Sequence, residues 1–210
     1  MRRPRLVFAA ASGAALVAAA MALGFLLAAA RSPNWFDTWG LNLLPASRHL
    51  RLYLAASQLG SPPAIATGML LSVLLWVGRD RLRAIGAVLG PLVAIGFAEQ
   101  VAKPLIGRQL EVGNFSYPSG TVTAAAAVAT TLVLAAPRSV RPPLAGLLAA
   151  LLLVLSAAVV GLRWHDPTDA LGGLALGVGW ALLVEAGLQL LHLAHVRQRR
   201  HPEVRPATGN

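Results

Sequence analysis

Leu144-Ala-Gly-Leu-Leu-Ala-Ala-Leu-Leu-Leu-Val-Leu-Ser-Ala-Ala-Val-Val-Gly-Leu162 runs for 19 residues without a charge. A short polar link, Arg163 to Thr168, separates it from a second apolar run, Ala170–Ala194. At about 1.5 Å per helical residue, 19 residues cover about 28 Å, which is the hydrocarbon thickness of a bilayer. Two such runs joined by so short a link read as consecutive membrane helices. Working outward, further apolar blocks lie at Leu6–Ala30, Pro63–Val77, Ala84–Ala102 and Gly120–Ala136. The second is short, so its start is expected to reach back towards Leu54. The chain is 56% hydrophobic and 12% charged, with a mean hydropathy of +0.64. Soluble domains carry about 25% charged residues. The expected fold class is therefore all-α, a polytopic membrane bundle of six transmembrane helices.

The expected organisation is a first transmembrane anchor at 1–30, an external or interfacial segment at 31–61, a transmembrane core at 62–195 and a basic tail at 196–210. The first block competes with a signal peptide, because Ala28-Ala29-Ala30 resembles a cleavage region. It is longer than the usual 7–15-residue apolar core of such peptides, which favours an uncleaved anchor. Trp35, Trp39 and Tyr53 in the second segment suit the membrane interface.

The net charge of +10 would suggest nucleic acid in a soluble protein. Here the basic residues fall between apolar blocks, with no aromatic interleaving, so no nucleic-acid partner is expected and the bilayer is the expected partner. With the N-terminus inside, 12 of the 18 basic residues lie on inner segments and six on outer ones. That bias predicts both termini in the cytoplasm of a multi-pass cell-membrane protein. With no cysteine, disulfides and thiol chemistry are excluded. No metal site is evident and no cofactor is expected.

Three polar patches remain, all on the outer side: Lys103-Pro-Leu-Ile-Gly-Arg108, Tyr117-Pro-Ser-Gly-Thr121 and Arg163-Trp-His-Asp-Pro-Thr-Asp169. Lys103 is the sole lysine, a compact charge for a phosphate oxygen. It is equally the i,i+4 partner of Glu99. Pro104 predicts that the third helix ends at Lys103. Ser119-Gly120 opens the fourth helix, whose N-terminal N–H groups suit an anion; simple capping by Ser119 is the other reading. Asp166-Pro167 starts the sixth helix, with Asp166 as N-cap and Pro167 first in the helix. Asp169 then reaches back, either to orient His165 as a nucleophile or merely to complete the cap. Lysine, arginine, a helix N-terminus and a His–Asp pair make an anion site with a nucleophile, which is what phosphoryl transfer needs.

These residues resemble the type 2 phosphatidic acid phosphatase family, membrane relatives of the vanadium haloperoxidases. The family carries Lys-x6-Arg-Pro, Pro-Ser-Gly-His and Ser-Arg-x5-His-x3-Asp on one face of six spans. Lys103, Pro118-Ser119-Gly120 and His165-x3-Asp169 with Gly172-Gly173 match, and Gly60-Ser61-Pro62 is also similar. Leu110-Glu111 stands where the family has Arg-Pro, Thr121 where it has His, and Ala158-Val159 where it has Ser-Arg. The resemblance implies His165 as the phosphorus nucleophile oriented by Asp169. It implies phosphate binding by Lys103, Ser119, Gly120 and Thr121, with Arg108 and Arg163 replacing the missing arginines from shifted positions. Loss of the histidine that protonates the leaving group points to a lipid diphosphate, such as a polyprenyl diphosphate, over a lipid monoester. A catalytically weakened binder of a lipid phosphate or protein is the alternative. A transporter using Glu99 or Glu185 is a third reading, weakened by the lack of an inverted repeat.

Overall fold

A computed structural model describes residues 3–28, 33–109 and 115–200. The helices are α1 (Arg3–Ala28), α2 (Trp35–Leu43), α3 (Ala46–Ser57), α4 (Pro62–Val77), α5 (Arg81–Phe97), α6 (Lys103–Ile106), α7 (Gly120–Ala135), α8 (Arg141–Gly161) and α9 (Pro167–Arg200). The local signals for their starts are side-chain caps and prolines. Asn34 accepts from the Asp37 amide at 2.9 Å, Asp80 from the Arg83 amide at 3.3 Å, and Ser119 from the Val122 amide at 3.5 Å. Prolines open α4, α8 and α9, where a missing N–H costs nothing.

Five stretches are long and apolar enough to cross a membrane: Pro4–Ala28, His49–Val77, Arg81–Ile106, Arg141–Gly161 and Pro167–Ala194. The second begins at His49, earlier than the block visible in the sequence, because α3 and a single 3-10 turn (Gln58–Gly60) run into α4. The sixth, α7, has 16 residues and a rise of about 24 Å. It is the most enclosed helix of the bundle, with Val122–Ala129 buried throughout. Enclosure relieves it of spanning alone. At its C-terminal end Arg141 reaches the Leu134 and Ala136 carbonyls at 2.7 and 2.9 Å, satisfying C-terminal acceptors that would otherwise face hydrocarbon. The chain is thus an all-α polytopic membrane bundle.

Small residues set how closely the helices approach. α1 crosses α9 at Gly13 and Gly179: a Cβ on Gly13 would lie 2.8 Å from the Gly179 carbonyl oxygen. The seam between α7 and α9 is Gly173-x3-Gly177. A Cβ on Gly173 would come within 2.7 Å of the Ser119 carbonyl, and one on Gly177 would strike the Thr123 carbonyl. This seam brings the first turns of α7 and α9 side by side. The Ser119 amide completes the junction by donating to the Asp169 carbonyl at 3.0 Å.

The third span does not end at Lys103. It passes through a π-helical turn, Ala98–Ala102, and continues as α6 to Ile106. The Lys103 amide donates to the Ala98 carbonyl five residues back. Pro104 follows this change of register, where its fixed φ and missing N–H suit the first turn of a renewed segment. Gly107, at φ 67°, ends the helix in the left-handed conformation that favours glycine.

Candidate active site at the shared end of the bundle

Residues from α2, α6 and the loop after it, α7 and α9 meet at one end of the bundle. Arg108 is the hub. Its NH1 donates to Asp169 Oδ1 at 2.6 Å and Thr168 Oγ1 at 2.7 Å; its NH2 donates to Asp37 Oδ2 and Asp166 Oδ2, both at 2.8 Å. Three carboxylates thus surround one guanidinium. Burial alone would lower the Arg108 pKa, but Asp169, Asp37 and Asp166 outweigh it and hold the value above the ordinary range. Burial in turn pushes the Asp166 carboxyl up to about 6, helped by Asp169 and opposed by Arg108.

Asp37 escaped the sequence reading. It is fully buried and also accepts from the Thr168 amide at 2.8 Å and the Thr168 hydroxyl at 2.9 Å. It therefore caps α9 from 131 residues away, a role foreseen for Asp166, whose carboxylate turns to Arg108 instead. The visible hint was Asn34-x-x-Asp37, a helix start in which each residue bonds the other: the Asn34 side-chain amide donates to Asp37 Oδ2 at 2.8 Å.

Asp169 is fully buried and completes the cap of α9. Its Oδ2 accepts from the Asp166 amide at 3.0 Å. The same oxygen lies 3.6 Å from His165 Nδ1, just beyond hydrogen-bond reach. His165 Nδ1 is buried and has no hydrogen-bond partner. The ring is thus placed beside Asp169 by the i,i+4 geometry of the α9 start.

Lys103 Nζ holds both oxygens of Glu99, at 2.7 and 2.8 Å. Glu99 in turn leans over the start of α7, because a Cβ at Gly120 would collide with its Oε1. Lys103 and the α7 N-terminus are therefore neighbours, as the phosphate reading requires, with a carboxylate between them. Thr121 lies on another face, its methyl against Gly60 near Leu155. Arg163, exposed and at φ 61°, donates from NH2 to the Leu41 carbonyl at 2.8 Å, at the C-terminal end of α2. It makes no hydrogen bond to the Arg108 cluster among the described residues. Leu110 and Glu111 lie outside the described residues. Glu185, the other acid considered for transport, pairs with Arg83 at 3.1 Å towards the opposite end. Among the described residues no group of three or more His, Asp or Glu is arranged to hold a metal; the three aspartates here are organised by an arginine.

Tyr117 anchors the approach to this site. It is fully buried and donates from its hydroxyl to the Ala20 carbonyl of α1 at 2.5 Å, with its ring packed on Gly24 and Gly172. Burial, then the charge of Asp169, raises its pKa and keeps the phenol neutral. The first helix thereby helps fix the Pro118-Ser119-Gly120 turn.

Residues 95–190, which contain all these elements except Asp37 and the α1 contact, match the sequence profile of the PAP2 superfamily. No curated protein matches the chain. Among solved structures it is similar to a transmembrane PAP2-type phosphatidylglycerolphosphate phosphatase from Bacillus subtilis, with 20% identity, a TM-score of 0.52, and coverage of 91% of this chain and 98% of that one. The chain thus carries a PAP2 superfamily profile over residues 95–190, in a bundle similar in fold to that phosphatase, with Lys103, Pro118-Ser119-Gly120 and His165-x3-Asp169 gathered at one end.

Proposed function

We propose that this protein is a membrane lipid phosphatase or diphosphatase that works through a phosphohistidine on His165. The observation that carries this reading is the placement of His165 Nδ1 beside the buried Asp169 carboxylate, which Arg108 holds, at the same end of the bundle as Lys103 and the α7 N-terminus. Closure of the 3.6 Å gap would fix the proton on Nδ1 and leave Nε2 free to attack; such bonds often tighten only with substrate bound. Attack by Nε2 on phosphorus breaks the bond to the leaving oxygen. Water then attacks the phosphohistidine, releasing inorganic phosphate and restoring His165.

The leaving group decides the substrate. General acid catalysis is worth roughly 10²–10⁴-fold, and Thr121 replaces the histidine that supplies it in the family. A lipid alcohol needs that proton; a lipid monophosphate leaving from a diphosphate, with a second pKa of about 6, does not. Diphosphates are therefore the favoured class. Asp166, next to His165 and protonated up to about pH 6, is the group best suited to supply a proton to a poorer leaving group. The positive-inside bias supports an external position for this end of the bundle, within reach of lipid headgroups of the outer leaflet.

A second reading, a lipid-phosphate binder without turnover, is favoured by the full engagement of Arg108 by carboxylates and by Thr121. Phosphate release from a panel of lipid monophosphates and diphosphates separates the two. Release that is fastest with a diphosphate and falls at least about 10³-fold in His165→Ala is expected. Release untouched by that substitution would remove the mechanism, and faster release from phosphatidic acid would remove the diphosphate preference.

A further inference from the structure

The seat between Lys103 and the α7 N-terminus already holds an anion, and that anion belongs to the protein. Both Glu99 oxygens are bound by Lys103 Nζ, and the carboxylate leans onto Gly120 so closely that a methyl group there would displace it. The π-helical turn sets this up. It carries Glu99, delivers Lys103 in the next residue of the span, and is followed by the short α6 that ends at Gly107. The first-turn N–H groups of α7 have no partner within the helix, so their partial positive charge adds to that of Lys103. The Glu99 side chain is 37% exposed, whereas that of Lys103 is 16% exposed. The acid is therefore the member of the pair with room to swing aside.

We infer that Glu99 is a specificity-determining residue: a built-in competitor that a terminal phosphate displaces and a phosphodiester does not. This rests on the phosphate-binding reading of Lys103 and Gly120. The chemistry is an exchange of anions on one cation and one helix end. A terminal phosphate brings close to two negative charges and three acceptor oxygens in place of the single charge of Glu99, so the exchange favours it. A phosphodiester brings a single charge and gains nothing over the carboxylate it must evict. Phosphodiesters are the headgroup linkage of ordinary phospholipids, which surround a membrane site at high concentration. A competitor of matched charge keeps them out while leaving lipid monophosphates and diphosphates admissible.

The test uses the full-length protein in detergent, titrated with inorganic phosphate and with dimethyl phosphate, a monoanionic diester, and read by calorimetry. Wild type is expected to bind phosphate and to leave dimethyl phosphate unbound. Glu99→Gln, which keeps the shape and removes the charge, is expected to bind phosphate about tenfold tighter and to begin binding dimethyl phosphate. Phosphate binding that is no tighter in Glu99→Gln, or discrimination that is unchanged, would overturn the inference. Should Glu99→Gln fail to fold, Glu99→Asp withdraws the charge by one methylene and should tighten phosphate by a smaller factor; no change there would count equally against it. Because binding is read without turnover, lipid hydrolysis by wild type with no Glu99 effect sinks this inference alone. A Glu99 effect in a protein that hydrolyses no lipid sinks only the phosphatase reading.

Discussion

Asp166 shows how a single residue is set by its surroundings. It is an ordinary helix-start aspartate by sequence, yet it sits with Asp37 and Asp169 around one arginine and is almost fully buried. Burial first, then the neighbouring Asp169, lifts its pKa from 3.8 to about 6 in spite of Arg108. The folded protein therefore binds a proton there, between those two values, that the unfolded chain does not. This contribution to stability is complete below the unfolded value and is lost as pH rises through about 6. At about 1.4 kcal/mol per unit, it amounts to about 3 kcal/mol at most. Thermal unfolding in detergent should show the wild type losing stability between about pH 4 and 6.5, and Asp166→Asn losing much less. Equal slopes would mean that Asp166 is ionised throughout. Asn34-x-x-Asp37 hinted only at a helix start, not at what Asp37 touches. Its partners Arg108 and Thr168 lie 71 and 131 residues away, and no local pattern encodes a contact of that separation.

At the scale of elements, the spans were legible because hydropathy is a one-dimensional property that the bilayer reads directly. The start of α9 was legible too, because Asp166-Pro167 and Asp169 act through the first turn alone. The π-helical turn was not. Nothing in Ala98-Glu-Gln-Val-Ala102 distinguishes an i→i+5 turn from an α-helix, and Pro104 argued for an end where the structure has a continuation. The site also depends on how closely α7 and α9 approach, and that distance is written in Gly173 and Gly177. Gly177→Val would drive a branched side chain into the Thr123 carbonyl and the Ala126 methyl, where neither can yield without moving a helix. Overpacking of this kind costs about 1–3 kcal/mol. Because the seam lies directly below Ser119 and Asp169, the expected result is a lowered unfolding temperature together with loss of phosphate binding. By contrast Gly146→Val, on α8 where a Cβ meets nothing, should leave both unchanged. Phosphate binding retained by Gly177→Val would show that the two helix starts are held by the loop bonds and not by the seam.

For the whole molecule the open quantity is direction. Each of the eight acidic residues matters when so few are present, and four of them, Asp37, Glu99, Asp166 and Asp169, lie at one end of the bundle. Arginine dominates the other end: Arg79, Arg81 and Arg83 at the junction of α4 and the start of α5, and Arg138 and Arg141 at the junction of α7 and the start of α8. Basic residues are retained on the cytoplasmic side during insertion, whereas acids contribute little to orientation. The acid-rich end, with His165 and Lys103, should therefore face outward. A chain without cysteine allows a clean measurement. Phe115, in the loop at the site end, is 43% exposed, and Ser139, in the loop between α7 and α8, is also exposed. In intact cells a membrane-impermeant maleimide should label Phe115→Cys and spare Ser139→Cys; permeabilised cells should label both. The reverse pattern would put the site in the cytoplasm and its substrates in the inner leaflet. Every geometric relation within the cluster would survive that reversal, so the experiment isolates the one property that the bundle itself does not encode.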